Sequence, residues 1–190
     1  MTPKELDEAL KDVRRTRNLM IFFGFIPMIY LFSMVFMSTS SLDTQYLTVG
    51  IITAIIVLDL VWGIVGIKKY IPSVSKVGLA FLSLSFLGVI LMSFLPYSEV
   101  LWWILGGLHV AGLMMFVAWA KVHWSLKLTY LGYYLFTAYV VAHGLTSGIS
   151  IKDDIIAYYG IATLIYPMLS SFLAVRWAGN EFFKLMNDEK

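Results

Sequence analysis

Six long apolar segments recur along the chain, and they constrain its fold more than any other feature. Each has about 20 residues, the length of a helix that crosses ~30 Å of hydrocarbon at about 1.5 Å per residue. A membrane barrel would instead alternate polar and apolar residues over ~10-residue strands. The sequence therefore predicts an all-α membrane bundle with six transmembrane helices at Leu19–Ser38, Tyr46–Ile67, Val77–Pro96, Val100–Ala120, Leu128–Leu145 and Ile155–Val175.

Composition supports this class. Of the 190 residues, 59% are hydrophobic and 14% are charged, whereas a soluble domain has roughly 25% charged residues. The sequence has no cysteine, which excludes disulfides, thiolate nucleophiles and cysteine-ligated metal centres. A net charge of +2 is too small to indicate nucleic-acid binding, so we expect the lipid bilayer to be the main partner.

The distribution of Lys and Arg predicts an orientation, because basic residues favour cytoplasmic loops. Thirteen of the 14 basic residues lie at the N-terminus, between the second and third segments, between the fourth and fifth, and at the C-terminus. The remaining loops contain only Lys152 beside acidic residues: Asp43, Glu99, Asp153 and Asp154. This alternation predicts a multi-pass protein, in the cell membrane, with both ends in the cytoplasm.

Both ends carry amphipathic patterns. Residues 1–18 begin with the pattern of a capping box, Thr2, Pro3 and Glu5, followed by an apolar stripe of Leu6, Leu10 and Val13. We expect residues 1–18 to form a helix at the cytoplasmic interface, residues 19–177 the membrane domain, and residues 178–190 a short cytoplasmic tail. Membrane anchoring is the simpler role for the ends, and docking of a partner subunit is the alternative.

Two ionisable residues fall inside predicted crossings. Asp59 lies within the second segment and His109 near the midpoint of the fourth, at depths that differ by only about 4 Å. Buried ionisable groups in a membrane are costly and often functional, so an Asp59–His109 pair could carry a proton or bind a cation. The alternative is that each side chain bonds to backbone or to a Ser, Thr or Tyr hydroxyl and only fixes the packing of the helices. Small residues near each indicate close helix packing: Gly63, Gly66, Gly106, Gly107, Ala111 and Gly112.

The sixth segment carries a polar stripe, consisting of Tyr159, Thr163, Tyr166 and Ser170. Pro167 cannot donate to the carbonyl of Thr163, and Pro27 likewise frees the carbonyl of Phe23. A hydroxyl-lined, proline-interrupted helix is typical of a substrate path. It is equally typical of ordinary hydrogen bonding between helices.

A haem held by two histidines is a competing use of His109. Its partner would be His143, which lies about 10 Å from the midpoint of its own segment and so at a different depth, whereas axial ligands must reach one iron. The sequence contains no P-loop, no H-E-x-x-H and no G-x-S-x-G motif. It therefore offers no set of catalytic residues and no metal or cofactor that can be named.

These features predict a small transporter or transporter subunit. Asp59 and His109 would bind a proton or cation, and Thr163, Tyr166 and Ser170 would line the route. The alternative is a non-catalytic accessory, assembly or sensory subunit that acts through helix–helix contacts. A b-type haem redox protein is a third hypothesis.

Overall fold

The computed structural model describes residues 2–39, 50–51, 53–54, 57, 67, 69–92, 98–147 and 153–187. Within these ranges the chain is helical, with short connections and no strand, and isolated helical residues occur between 50 and 57. Five helices have continuous bounds: α1 (Pro3–Thr39), α2 (Ser73–Met92), α3 (Glu99–Trp119), α4 (Trp124–Ser147) and α5 (Asp153–Asn187). The all-α prediction is confirmed for the described residues.

Five of the six predicted crossings coincide with these helices, and most of the second lies outside the described residues. Among the described residues, two helical stretches are long and apolar enough to cross a membrane. They are Glu99–Trp119, with a mean hydropathy of 1.9, and Gly160–Asn187, with 1.3. Only 22% and 39% of their apolar windows are buried inside the protein. Six crossings therefore remain a prediction.

The bundle has an apolar core and also exposes many large apolar side chains. Large apolar side chains point outward on the two candidate spans, with Trp103 72%, Met168 73% and Phe172 62% exposed. Polar side chains are buried between helices: Thr16, Ser75, Ser83, Ser85, Thr163 and Ser170. Extensive apolar surface of this kind marks contact with lipid or with another protein.

Helix α1 begins at the predicted capping box. The Thr2 backbone N–H donates to Glu5 Oε2 at 2.7 Å, and the Glu5 N–H donates to Thr2 Oγ1 at 3.3 Å. The bond from the Thr2 backbone, followed by that from its side chain, lowers the pKa of Glu5. The helix then continues unbroken to Thr39, about 55 Å at the usual rise. The predicted arm and first crossing are thus one helix, and its position at a bilayer stays a prediction.

A single buried stripe runs along α1 from the arm into the apolar segment, through Val13, Thr16, Met20 and Phe23. This stripe packs against α5, which runs beside α1. Leu6 and Leu10 of the arm join the same apolar core as Phe182 and Leu185 of the tail. The predicted apolar stripe of the arm therefore serves to pack the two chain ends together.

The connection before α2 ties the arm to the connection before α4. The backbone N–H of Lys69 donates to the buried carboxylate of Asp12 at 2.6 Å, and that of Lys121 donates to the Tyr70 carbonyl at 2.7 Å. The first bond joins α1 to the connection before α2, and the second joins that connection to the one before α4. We call this end of the bundle the basic end. It consists of the α1 arm, residues 67, 69–72 and 120–123, and the α5 tail.

The α5 tail completes the basic end. Tyr70 donates to Glu181 Oε2 at 3.2 Å, and its ring meets Trp177 edge-on at 5.1 Å. Arg14 lies over the Phe182 ring at 5.9 Å. Burial, followed by the nearby Glu181 carboxylate, raises the pKa of the Tyr70 phenol. All four segments that the sequence predicts to be cytoplasmic thus meet at one end of the bundle.

Helices α2 and α3 approach most closely at a pair of glycines. A Cβ on Gly112 would lie 2.6 Å from the Gly78 carbonyl, and one on Gly78 would lie 2.7 Å from the Gly112 carbonyl. Gly106 and Gly107 are exposed, and a Cβ on either would meet no atom of the described residues within 4 Å. The predicted close-packed face therefore holds for Gly112 and is wrong for Gly106 and Gly107, since residues six and five positions away lie on another side of a helix.

Candidate functional site

His109 lies at the middle of α3, eleventh of its 21 residues. Its Nδ1 is 3.3 Å from the Ser85 hydroxyl of α2, and that hydroxyl donates to the Leu105 carbonyl at 3.1 Å. Its Nε2 is buried and has no hydrogen-bond partner among the described residues. His109 is therefore bound on one side of its ring and open to a partner on the other.

Aromatic rings from two helices enclose His109. The Phe86 ring of α2 meets the imidazole at a centroid distance of 5.4 Å, and the Tyr134 ring of α4 meets it at 5.2 Å. Asp59, the predicted partner, lies outside the described residues. The Asp59–His109 pair stays a prediction.

The described members of the polar stripe lie together on the buried face of α5. Thr163 and Ser170 are fully buried and Tyr166 is 4% exposed, while the side chain of Tyr159 lies outside the described residues. Tyr133 Oη is 2.9 Å from Thr163 Oγ1, and the Tyr133 ring stacks on Tyr166 at 4.0 Å with a 12° tilt. The stripe is thus packed against α4.

Ser170, the last residue of the stripe, bonds within α5 and packs against α1. Its hydroxyl donates to the Pro167 carbonyl at 3.1 Å. A Cβ on Gly24 would lie only 2.1 Å from the Ser170 hydroxyl oxygen. Gly24 therefore makes the space that the Ser170 side chain occupies.

Three tyrosines of α4 connect the predicted residues. Tyr134 contacts His109 at 5.2 Å and Tyr166 at 6.2 Å between ring centroids, and Tyr133 stacks on Tyr166. Tyr130 meets Tyr166 edge-on at 5.7 Å. We call Tyr130, Tyr133, Tyr134 and Tyr166 the tyrosine cluster. His109 and the α5 stripe are therefore connected through the α4 tyrosines, although none of the described contacts joins them directly.

The tyrosine cluster also binds carbonyls of α1. Pro27 has no N–H to donate to the Phe23 carbonyl, and the Tyr134 hydroxyl donates to that carbonyl at 3.4 Å. The Tyr130 hydroxyl donates to the Met20 carbonyl, one turn earlier. The predicted free carbonyl in α1 is thus a bonding site for α4.

Four residues that contact His109 or the α5 stripe were not predicted from the sequence: Ser85, Tyr130, Tyr133 and Tyr134. The α4 sequence did carry a signal, because hydroxyl residues recur at positions 130, 133, 134 and 137, the spacing of one helix face. Ser85 had no comparable signal, since serines are scattered through α2.

The chemistry available in this region is proton or cation binding at one imidazole nitrogen. The described ranges contain no group of three His, Cys, Asp or Glu residues that could hold a metal ion. The side chain of His143, the second ligand of the haem hypothesis, lies outside the described residues, so that hypothesis stays a prediction. Serine, threonine and tyrosine hydroxyls supply the other polar groups.

Comparison of the chain with family models, curated proteins and solved structures gives no match.

Proposed function

We propose that the chain is a multi-pass membrane transporter or transporter subunit in which His109, with Asp59, takes up a proton or a cation. The observation that carries this proposal is the buried Nε2 of His109, which has no partner among the described residues. A buried nitrogen lone pair without a donor is costly unless a ligand or a second group uses it.

The apolar exterior and the basic end support the membrane part of the proposal. Exposed Trp103, Met168 and Phe172 suit a lipid environment. The basic end brings together the segments that hold most of the chain's lysines and arginines, as expected on one cytoplasmic face. Glu99 begins α3 at the opposite end of that helix from Ala120.

Flux measurements in liposomes test the proposal. A pH-sensitive dye inside the liposomes reports the internal pH. Liposomes that contain the purified wild type should change their internal pH when a gradient of protons or of a monovalent cation is imposed. His109→Gln and Asp59→Asn should each reduce the rate at least about tenfold, which corresponds to ~1.4 kcal/mol. His123→Gln is the matched control, because His123 is exposed beside Ser125, and its rate should equal that of the wild type.

Two results would contradict the proposal. One is a wild type that moves neither protons nor any tested cation under a gradient. The other is a His109→Gln variant with wild-type flux. Reduced flux in the His123→Gln control would show that loss of any histidine perturbs the protein. The effect of His109→Gln would then no longer support proton or cation uptake at His109.

A second function, a non-catalytic accessory subunit, is favoured by two other observations. Three of the four hydroxyls of the tyrosine cluster, those of Tyr130, Tyr133 and Tyr134, bond to groups of the chain itself. Phe183 and Met186 of the α5 tail are 70% and 53% exposed at the basic end, where an apolar surface suits a protein partner. On this proposal the chain functions by binding a partner protein through the exposed apolar side chains of the α5 tail.

The accessory function is tested by the size of the particle extracted from native membranes in mild detergent. Wild type should elute as a complex larger than one 21.5 kDa chain, and the double variant Phe183→Ser, Met186→Ser should elute as the chain alone. Trp103→Ser is the control, because it removes an exposed aromatic side chain from the end of α3 that lies away from the basic end. This variant should elute as the same complex as the wild type. Equal elution of all three would argue against contact through the tail.

A further inference from the structure

We propose that Ser85 is a positioning residue that fixes neutral His109 as the Nδ1–H tautomer, so that the Nε2 lone pair is the atom that receives a proton. That this lone pair takes up a proton during transport rests on the proposed function. The tautomer rests only on the geometry around Ser85, so the tautomer and the transport function can be refuted independently.

The argument begins with the single hydrogen of the Ser85 hydroxyl. Ser85 is 2% exposed, and its hydroxyl donates to the Leu105 carbonyl at 3.1 Å. Because a serine hydroxyl has one O–H and two lone pairs, its contact with His109 Nδ1 at 3.3 Å must have the ring as donor. Nδ1 therefore carries the hydrogen.

The opposite nitrogen then follows by the chemistry of imidazole. A neutral ring has one N–H, and the bond made by one nitrogen decides which nitrogen is protonated. With Nδ1 protonated, Nε2 is an acceptor only, and it is buried without a partner among the described residues. His109 Nε2 is thus a buried hydrogen-bond acceptor that no described residue uses.

This assignment restricts how His109 could pair with Asp59. Neutral His109 has no hydrogen on Nε2, so an ionised Asp59 cannot accept from it. The pair would exist either as protonated Asp59 donating to Nε2, or as ionised Asp59 beside an imidazolium. In both forms the pair holds one shared proton between the carboxyl oxygen and Nε2, and the net charge is zero.

None of the described side chains that contact the His109 ring carries a charge that would attract or repel this proton. From α2 the ring meets Ser85 and Phe86, neither of which titrates, and from α4 it meets Tyr134, a phenol that donates to the Phe23 carbonyl. Among these described contacts no group is formally charged at neutral pH. Asp59 is the acid that the sequence places at a similar depth.

Nitrogen NMR of the ring tests the tautomer directly. In full-length protein with His123→Gln and His143→Gln, ¹⁵N-labelled histidine reports His109 alone, since the chain has three histidines. At a pH where the ring is neutral, the proton-coupled nitrogen should be Nδ1. With Asp59→Leu added, so that no carboxyl can donate to Nε2, Ser85→Ala should move the hydrogen to Nε2 in most molecules, and Ser85→Thr, which keeps a hydroxyl, should retain Nδ1–H.

Ser83→Ala is the matched control. Ser83 is 1% exposed on the same helix and donates to the Leu79 carbonyl, so its variant removes a buried hydroxyl and should leave the tautomer at Nδ1–H. The proposal is overturned if wild type has Nε2–H, or if Ser85→Ala with Asp59→Leu keeps Nδ1–H. A misfolded Ser85→Ala sample is recognised by lost helical circular dichroism, and then wild type and Ser85→Thr decide.

Flux separates this inference from the proposed function. If Ser85 positions the acceptor, Ser85→Ala should lower proton-coupled flux on the order of tenfold, the effect typical of losing the partner that orients a functional histidine. Ser85→Thr should restore it. Nδ1–H in the wild type without any flux would refute transport and retain the positioning role. Flux with Nε2–H would refute positioning and retain transport.

Discussion

Two helix interfaces in this protein are built by different means. Helices α2 and α3 meet through backbone, where Gly78 and Gly112 leave no space for a Cβ. Helices α1, α4 and α5 meet through the tyrosine cluster, in which the hydroxyls of Tyr130, Tyr133 and Tyr134 reach carbonyls and a threonine. The first interface cannot accept added atoms, and the second cannot lose one of these three hydroxyls without leaving a buried partner unbonded. His109 lies between them, with Ser85 on one side and Tyr134 on the other.

The largest effect is expected at the glycine interface. Gly112→Ala should lower the free energy of unfolding by up to about 3 kcal/mol, because the new methyl group meets the Gly78 carbonyl and Leu82 backbone, which cannot rotate away as side chains do. Gly107→Ala, on the open side of α3, should leave it unchanged or raise it by up to about 1 kcal/mol, because alanine is the better helix former. Unfolding by denaturing detergent in mixed micelles measures both. Equal effects would mean that α2 and α3 do not meet at Gly112.

A smaller effect is expected at the tyrosine cluster. Tyr134→Phe should lower the free energy of unfolding by about 1.5 kcal/mol, near the upper limit for hydrogen bonds between membrane helices, because it leaves the Phe23 carbonyl without its donor. Tyr158→Phe, on an exposed side chain, should have no effect in the same assay.

The Pro27 background sharpens that prediction. Pro27→Ala supplies the backbone N–H that can bond the Phe23 carbonyl within α1. Tyr134→Phe should therefore cost less in the Pro27→Ala protein than in the wild type, and a double-mutant cycle measures the difference. Additive effects would contradict the role assigned to this carbonyl.

The smallest effect is expected at the basic end, where a partly exposed hydrogen bond joins Tyr70 to Glu181. Tyr70→Phe should cost about 0.5–1 kcal/mol near pH 7. Because burial raises the pKa of Tyr70, the phenol stays protonated in the folded state while the unfolded chain ionises above about pH 10. The stabilisation is therefore complete below that pH and falls as the pH rises further.

Stability measured across alkaline pH checks this sign. The difference in free energy between wild type and Tyr70→Phe should be constant from about pH 7 to about pH 9 and should shrink above about pH 10. A difference that grows with pH would contradict the raised pKa, and Tyr158→Phe should show no such trend.

Local features of the fold were predictable from the sequence. The capping box of Thr2 and Glu5 forms as expected, because it depends on neighbouring residues alone. Long apolar segments predicted helices at the right places for the same reason. The carbonyl of Phe23 was also predictable as a bonding site, since the missing N–H of Pro27 is a covalent fact.

The partners across helices were not predictable. The donor to the Phe23 carbonyl is Tyr134, 111 residues away, and nothing in a single sequence fixes the rotation of α4 toward α1. The same freedom misplaced Gly106 and Gly107, which share a sequence neighbourhood with Gly112 and face elsewhere. The arm and the first predicted crossing form one helix, and the buried stripe of Val13 and Thr16 continues its packing against α5.

The most direct test of the account is the sidedness of the two ends of the bundle, and the absence of cysteine makes it clean. Glu99→Cys, Lys121→Cys and Lys184→Cys each introduce one thiol at an exposed position. With a membrane-impermeant maleimide, Glu99→Cys should be labelled in intact cells, and Lys121→Cys and Lys184→Cys only after permeabilisation. Labelling of all three from one side, or of Lys121→Cys and Lys184→Cys from opposite sides, would contradict a multi-pass bundle with a single basic end.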